Sequence, residues 1–150
     1  YKDSLRARAA GSSAAGMVTF DDRYCDVPGL LRLIRGADVV LLPYDSTEQV
    51  TSGVLVEALA SGKPVVATAF PHAVELLSGG AGVVVGHRDP QALAAALRAV
   101  LTDPALRGRL TAAALQLAPS LFWSAVADRY VALATELEVP GLRIAARAAR

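Results

Sequence analysis

The chain has little of what marks several common protein classes. Its single cysteine, Cys25, cannot close an internal disulfide, which is compatible with a cytoplasmic location, the expectation adopted here. No apolar run approaches the roughly 18 residues that a membrane span requires, and no signal-peptide pattern opens the chain. A formal net charge of +1, with no basic stripe interleaved with aromatics, makes no case for nucleic acid as a partner. Cys and His nowhere take metal-ligand spacing, no paired Asp/Glu set marks a glycosidase, and there is no Gly-x-Ser-x-Gly nucleophile elbow. Internal repeats and low-complexity linkers are missing as well. What is present is material for a core: 150 residues, 53% hydrophobic and only 19% charged, suffice for one folded domain and argue against disorder.

The chain is organised around Pro43 to Thr68. Val39-Val40-Leu41-Leu42 is a short, unalternated apolar run that suits a strand of a parallel sheet buried on both faces, and Pro43 ends it. A polar loop from Tyr44 to Val50 follows. Thr51 and Ser52 then offer hydroxyls where a helix N-cap is wanted, Gly53 permits close approach to the backbone, and Val54 to Ala60 continues as helix. Gly62 and Pro64 close that helix, with Lys63 near the negative end of its dipole. A helix that starts at the carboxyl end of a parallel strand presents unpaired N–H groups and partial positive charge to the crevice there, which suits an anion.

Glu57 stands out, because its carboxylate sits in a helix whose other residues look built for close packing on a sheet. A charge withdrawn from water needs a partner. One reading has it face the crevice and accept hydrogen bonds from two neighbouring hydroxyls, such as a ribose offers. The other pairs it with an arginine or leaves it in water at the helix edge.

Around this centre, strands and helices alternate. Tyr1 to Ala10 reads as helix, Met17 to Phe20 as a strand, and Asp26 caps a helix with Pro28 in its first turn and Leu30, Leu31, Leu33 and Ile34 on its apolar face. Val65-Val66-Ala67 is the next buried strand, and a short helix runs from about His72 to Leu77. His72 lies at a strand's carboxyl end, so it either faces the same crevice or is a surface histidine. Gly82 to Val85 forms the last strand; because Gly79-Gly80-Ala81-Gly82 precedes a strand, it is in the wrong order for a phosphate loop. Asp89-Pro90 and Asp103-Pro104 start two helices, the first with Leu93, Leu97, Val100 and Leu101 on one face. Ser120 caps a third, on which Phe122, Trp123, Val126, Tyr130, Leu133 and Leu137 recur at helical spacing and are expected to be core. Pro140-Gly141 ends it. Residues 138–150 form a tail in which Arg143, Arg147 and Arg150 share a face if helical, a pattern able to touch an anionic membrane peripherally or simply to be solvated.

The series Ala37 to Pro43, Gln49 to Gly53, Glu57 to Thr68, Pro71 to Leu77 and Gly82 to Val85 resembles the donor-binding core of the family 4 retaining glycosyltransferases. These enzymes have two Rossmann-like domains facing across a cleft, the GT-B fold, and the resemblance is to the second, C-terminal one. It reaches to about Leu137, so residues 1–137 are expected to be a partial nucleotide-sugar-binding domain. The resemblance implies that Glu57 holds the ribose of a nucleotide diphosphate sugar, that Thr51, Ser52 and Gly53 hold its phosphates, and that Gln49 touches the transferred sugar as the catalytic-position residue. His72 would contact sugar or phosphate. Glu75 matches a position common in the family and is either a crevice residue, a cap or an ion-pair partner. It implies no cofactor and no metal. One departure is Gln49: most members carry two glutamates eight positions apart, and this chain has glutamine at the first of them, in a Gln-x-Thr-Ser-Gly variant similar to a subgroup of the family. Glutamine still donates and accepts hydrogen bonds there but brings no charge.

From this follow an α/β fold, a Rossmann-like parallel sheet with flanking helices, and a glycosyltransferase moving a hexose from a nucleotide diphosphate sugar to an acceptor with retention. In the strand order 3-2-1-4-5-6 the chain would keep strand three and strands four to six and lack its first two strands. It begins with Tyr1 and not Met, so a piece of a longer enzyme is expected, with the N-terminal domain as its missing partner and no activity of its own. The competing readings are a non-catalytic glycosyltransferase-like binding module, encouraged only by Gln49, and a nucleotide-sugar epimerase of related fold.

Overall fold

The computed structural model describes residues 1–137. The expected tail, with Arg143, Arg147 and Arg150, lies outside the described residues. The chain divides into two units, Tyr1–Leu30 and Leu31 onward, and the division falls inside a helix.

In the first unit, helix α1 (Lys2–Ala10) has no buried residue, Ala9 being half-buried and the others exposed. Lys2 and Arg6 both pair with Asp22, and the Arg6 guanidinium lies 5.8 Å from the centre of the Phe20 ring. A side-chain hydrogen bond from Arg23 holds the exposed Asp21 carboxyl down at about 2. Met17 to Phe20 is not a strand. A strand exists through its ladder of hydrogen bonds, and this segment has no ladder partner among the described residues, leaving Met17 81% exposed. Asp26 does cap α2 (Val27–Gly36), its carboxylate accepting from the Gly29 N–H at 2.8 Å.

The second unit carries a parallel sheet in the order β1 (Val40–Leu42), β2 (Val65–Thr68), β3 (Gly82–Val85), with Val40 opposite Val65 and Val65 opposite Gly82. Helix α3 (Gly53–Ala60) joins β1 to β2 and α4 (Pro71–Leu77) joins β2 to β3; crossovers of one hand place both over the same face. Every residue of the central strand β2 is buried, Val65 to Ala67 as an apolar run and Thr68 with its hydroxyl bonded to the Leu42 and Tyr44 carbonyls. Val66 packs with Val100 of α5 (Pro90–Thr102) and Leu110 of α6 (Pro104–Leu121). Asp89 and Asp103 cap α5 and α6 as expected, because an N-cap depends only on residues a turn away.

Helix α3 ends where its sequence says it should. Gly62 takes φ +66°, its N–H bonds to the Leu59 carbonyl, and the Lys63 N–H reaches back to Ala58 at 3.0 Å. That is the paired C-terminal closure that favours glycine. Gly82 is needed for a different reason. A Cβ there would lie 2.6 Å from the Val65 carbonyl oxygen and 2.9 Å from Leu77 Cδ2. Gly82→Ala is therefore expected to cost about 1–3 kcal/mol by forcing β2 and β3 apart. Urea titration will show it as a lowered midpoint; an unchanged midpoint would contradict this close approach.

Two expectations at the end of the second unit fail. Ser120 is not a cap: its hydroxyl donates to the Leu117 carbonyl at 2.8 Å, and α6 runs on through Pro119 to Leu121 before breaking at Phe122. Nor is α7 (Trp123–Glu136) core. Its repeat of Phe122, Trp123, Tyr130, Leu133 and Leu137 is exposed, Trp123 by 87%, because helical spacing decides which side chains share a face and not whether another element covers it. Leu101, grouped on one face of α5 with the fully buried Val100, is itself 48% exposed. Among the described residues no single helix is long and apolar enough to cross a membrane.

Candidate functional site

The start of α3 is built by its own sequence. Ser52, buried and extended, is the N-cap, and its hydroxyl accepts the Leu55 N–H at 3.2 Å. The same hydroxyl lies 3.3 Å from the Tyr44 hydroxyl. Tyr44 is held in turn, its ring 4.9 Å from that of the fully buried Phe70, while Thr68 Oγ1 donates to the Tyr44 carbonyl at 2.6 Å. Gln49 Nε2 donates to the Thr51 carbonyl at 2.9 Å, closing the turn that precedes the helix. The Ser52 N–H donates to His72 Nδ1 at 2.9 Å. The N–H groups of Gly53 and Val54 have no partner among the described residues.

These bonds change what each expected residue has to offer. Ser52 has both its amide and its hydroxyl engaged within the protein. Gly53 offers a bare amide and no side chain, and among the described residues nothing lies within 4 Å of the place its Cβ would occupy. Two unpaired amides at a helix start, with the dipole behind them, attract an anion.

A cavity of about 560 Å³ opens beside this turn. Gly53, Val56, Glu57 and Ala60 of α3 form one wall and His72, Glu75 and Leu76 of α4 another. The α6–α7 junction, from Ser120 to Trp123 with Val126 and Arg129, completes it. Of the residues expected from sequence, the fold thus brings Gly53, Glu57, His72 and Glu75 to one cavity. Gln49, Thr51 and Ser52 belong to the turn at its edge and do not line it. Glu57 is half-buried, and among the described residues its carboxylate has neither a hydrogen bond nor an ion pair, so the arginine pairing considered above is not formed. Glu75 is exposed and likewise unpaired among the described residues.

The sequence reading missed several residues. Arg129 brings a cation to the cavity wall, and its spacing from Phe122 and Val126 on one helical face was the signal. Arg88, at φ +59°, reaches Asp45 at 3.2 Å across the carboxyl ends of the strands, beside a smaller cavity of about 200 Å³. His87 buries both ring nitrogens without a hydrogen-bond partner among the described residues.

Comparison with known proteins agrees with the architecture. The family model of the glycosyl transferases group 1 matches residues 1–103. A D-inositol 3-phosphate glycosyltransferase of Catenulispora acidiphila is 38% identical over 110 residues, which is 73% of this chain and 26% of that protein. The sucrose-phosphate synthase structure from Thermosynechococcus elongatus superposes with a TM-score of 0.76 at 27% identity, covering 91% of this chain and 34% of the other. Anabaena HepE, solved in complex with UDP-glucose, gives a TM-score of 0.77 at 23% identity over 91% of this chain and 37% of its own, a likeness of fold. The chain therefore spans 26% to 37% of the length of these proteins.

Proposed function

Because this chain belongs to the group 1 glycosyl transferases, we propose that it is the donor-binding part of a retaining enzyme that moves a hexose from a nucleotide diphosphate sugar to an acceptor. The observation that carries the reading is Glu57: a half-buried carboxylate without a partner among the described residues, one helical turn from two open amides, in the wall of a cavity with His72 and Glu75. A partly desolvated carboxylate is favourable only when something donates to it, and two adjacent ribose hydroxyls do.

In this reading the diphosphate lies against the Gly53 and Val54 amides at the turn shaped by Thr51 and Ser52, Glu57 takes the ribose, and Gln49 meets the sugar. Negative charge grows on the diphosphate as the glycosidic bond breaks. Fixed amides and a helix dipole aimed at that charge need no reorganisation, so the contribution is positioning and electrostatic stabilisation. Acceptor binding and the opposite wall of the cleft fall to an N-terminal domain of the same enzyme, so these 150 residues alone transfer no sugar. UDP is the first nucleotide to try, given the ligand of the HepE neighbour.

Thermal unfolding in the presence of UDP, GDP and ADP tests this. A nucleotide at about 100 times its dissociation constant adds about 2.7 kcal/mol, which shifts the melting temperature by several degrees. A shift with one of the three supports the donor site and identifies its base. A melt blind to all three sinks the proposal.

A further inference from the structure

We infer that His72 is a positioning residue for the turn before α3, acting in a single neutral tautomer. Ser52 donates its N–H to Nδ1 at 2.9 Å, so Nδ1 carries no proton and the neutral ring holds its proton on Nε2. Ser52 is 5% exposed, which leaves its amide little access to water if the imidazole is withdrawn. A buried amide without an acceptor is costly, so the turn moves to find another.

The geometry shows why this bond matters more than its neighbours. The Ser52 hydroxyl and the Gln49 amide bond within the segment from Tyr44 to Leu55 and shape it locally. His72 comes from α4, twenty positions along the chain, so its bond fastens the turn to the helix that carries Glu75. With Ser52 occupied, Gly53 and Val54 are the amides left open, and His72 sets where they stand. The ring also lies in the wall of the cavity that Glu57 of α3, Glu75 of α4 and Arg129 of α7 help to line, and its Nε2–H is a donor with no partner among the described residues. His72 thus acts on a nucleotide mainly through Ser52, and this consequence rests on the donor reading above, whereas the tautomer does not.

The test joins a spectroscopic signature to a rescue. In the 150-residue chain labelled with ¹⁵N in its imidazoles, long-range ¹H–¹⁵N correlation should show His72 with an unprotonated Nδ1 and a protonated Nε2; His72→Asn assigns the signal, His87 being the other histidine. UDP binding is then measured by calorimetry. Asparagine places an oxygen close to where Nδ1 stands, so His72→Asn should bind UDP within about threefold of the unaltered chain, while His72→Leu, of similar girth with no acceptor, should bind about tenfold more weakly. A ring that exchanges tautomers like free histidine overturns the inference, as does a leucine variant that binds UDP as well as the asparagine one. Where GDP or ADP binds in place of UDP, the comparison is made with that nucleotide; if none of the three binds, the donor reading falls and the ring signature decides the inference by itself.

Discussion

Phe70→Ala is expected to remove about 3–5 kcal/mol of stability, the cost of truncating a fully buried aromatic, and it is the most damaging single substitution this structure suggests. Phe70 has no exposed surface, precedes the first turn of α4 and stacks at 4.9 Å on Tyr44. Set against the roughly 5–15 kcal/mol that holds a typical domain together, the loss would leave much of the population unfolded at moderate temperature. The damage also has a direction. Tyr44 would lose the ring that seats it, and its hydroxyl is one of the contacts of the Ser52 cap. Phe70→Leu, which keeps much of the volume, should cost markedly less. Denaturant unfolding of both variants measures the difference. A loss below about 1 kcal/mol for the alanine variant would mean that Phe70 is not part of a close-packed core.

Glu57→Ala should do the reverse, sparing the fold and disabling the site. The Glu57 carboxylate has no partner among the described residues, so its removal breaks no internal bond, and alanine suits an α3 interior that already holds Ala58 and Ala60. Stability should therefore stay level or rise slightly. Binding of the matching nucleotide should fall by about a hundredfold or more, since hydrogen bonds to a charged acceptor are worth about 1.5–3 kcal/mol each and a ribose would lose two. Glu57→Gln, an acceptor without the charge, should lie between. Calorimetric titration beside a melting curve reads both quantities from one preparation. Unchanged affinity in the alanine variant would remove the ribose role; a large loss of stability would mean that Glu57 holds the fold instead.

Much of the fold was legible because it is local. Asp26, Asp89 and Asp103 cap helices through bonds to amides two or three residues on. Gly62 closes α3 through bonds that span one turn, and the strands fall on the apolar runs, although burial on both faces holds only for the central β2: Leu41 of the edge strand β1 is 36% exposed. The misreadings share a cause. Met17 to Phe20 has the composition of a strand and no partner among the described residues, Ser120 had the chemistry of a cap where α6 simply continues, and the aromatics of α7 share a face that stays exposed.

The candidate site divides along the same line. Sequence alone determined the helix start at Thr51-Ser52-Gly53, the acidic residue one turn beyond it and the family that this spacing resembles, because a capped helix after a buried strand is set by interactions within a dozen residues. Tertiary structure alone decided that Ser52 spends its amide on His72, that Gly53 and Val54 are left open, and that Glu57, Glu75 and Arg129 face one cavity. Those facts depend on where the sheet sets α4 and where α6, packed on both α3 and α7, sets the α6–α7 junction. Packing of that kind arises from contacts between residues far apart in the chain, where local propensity and spacing carry no information about distance.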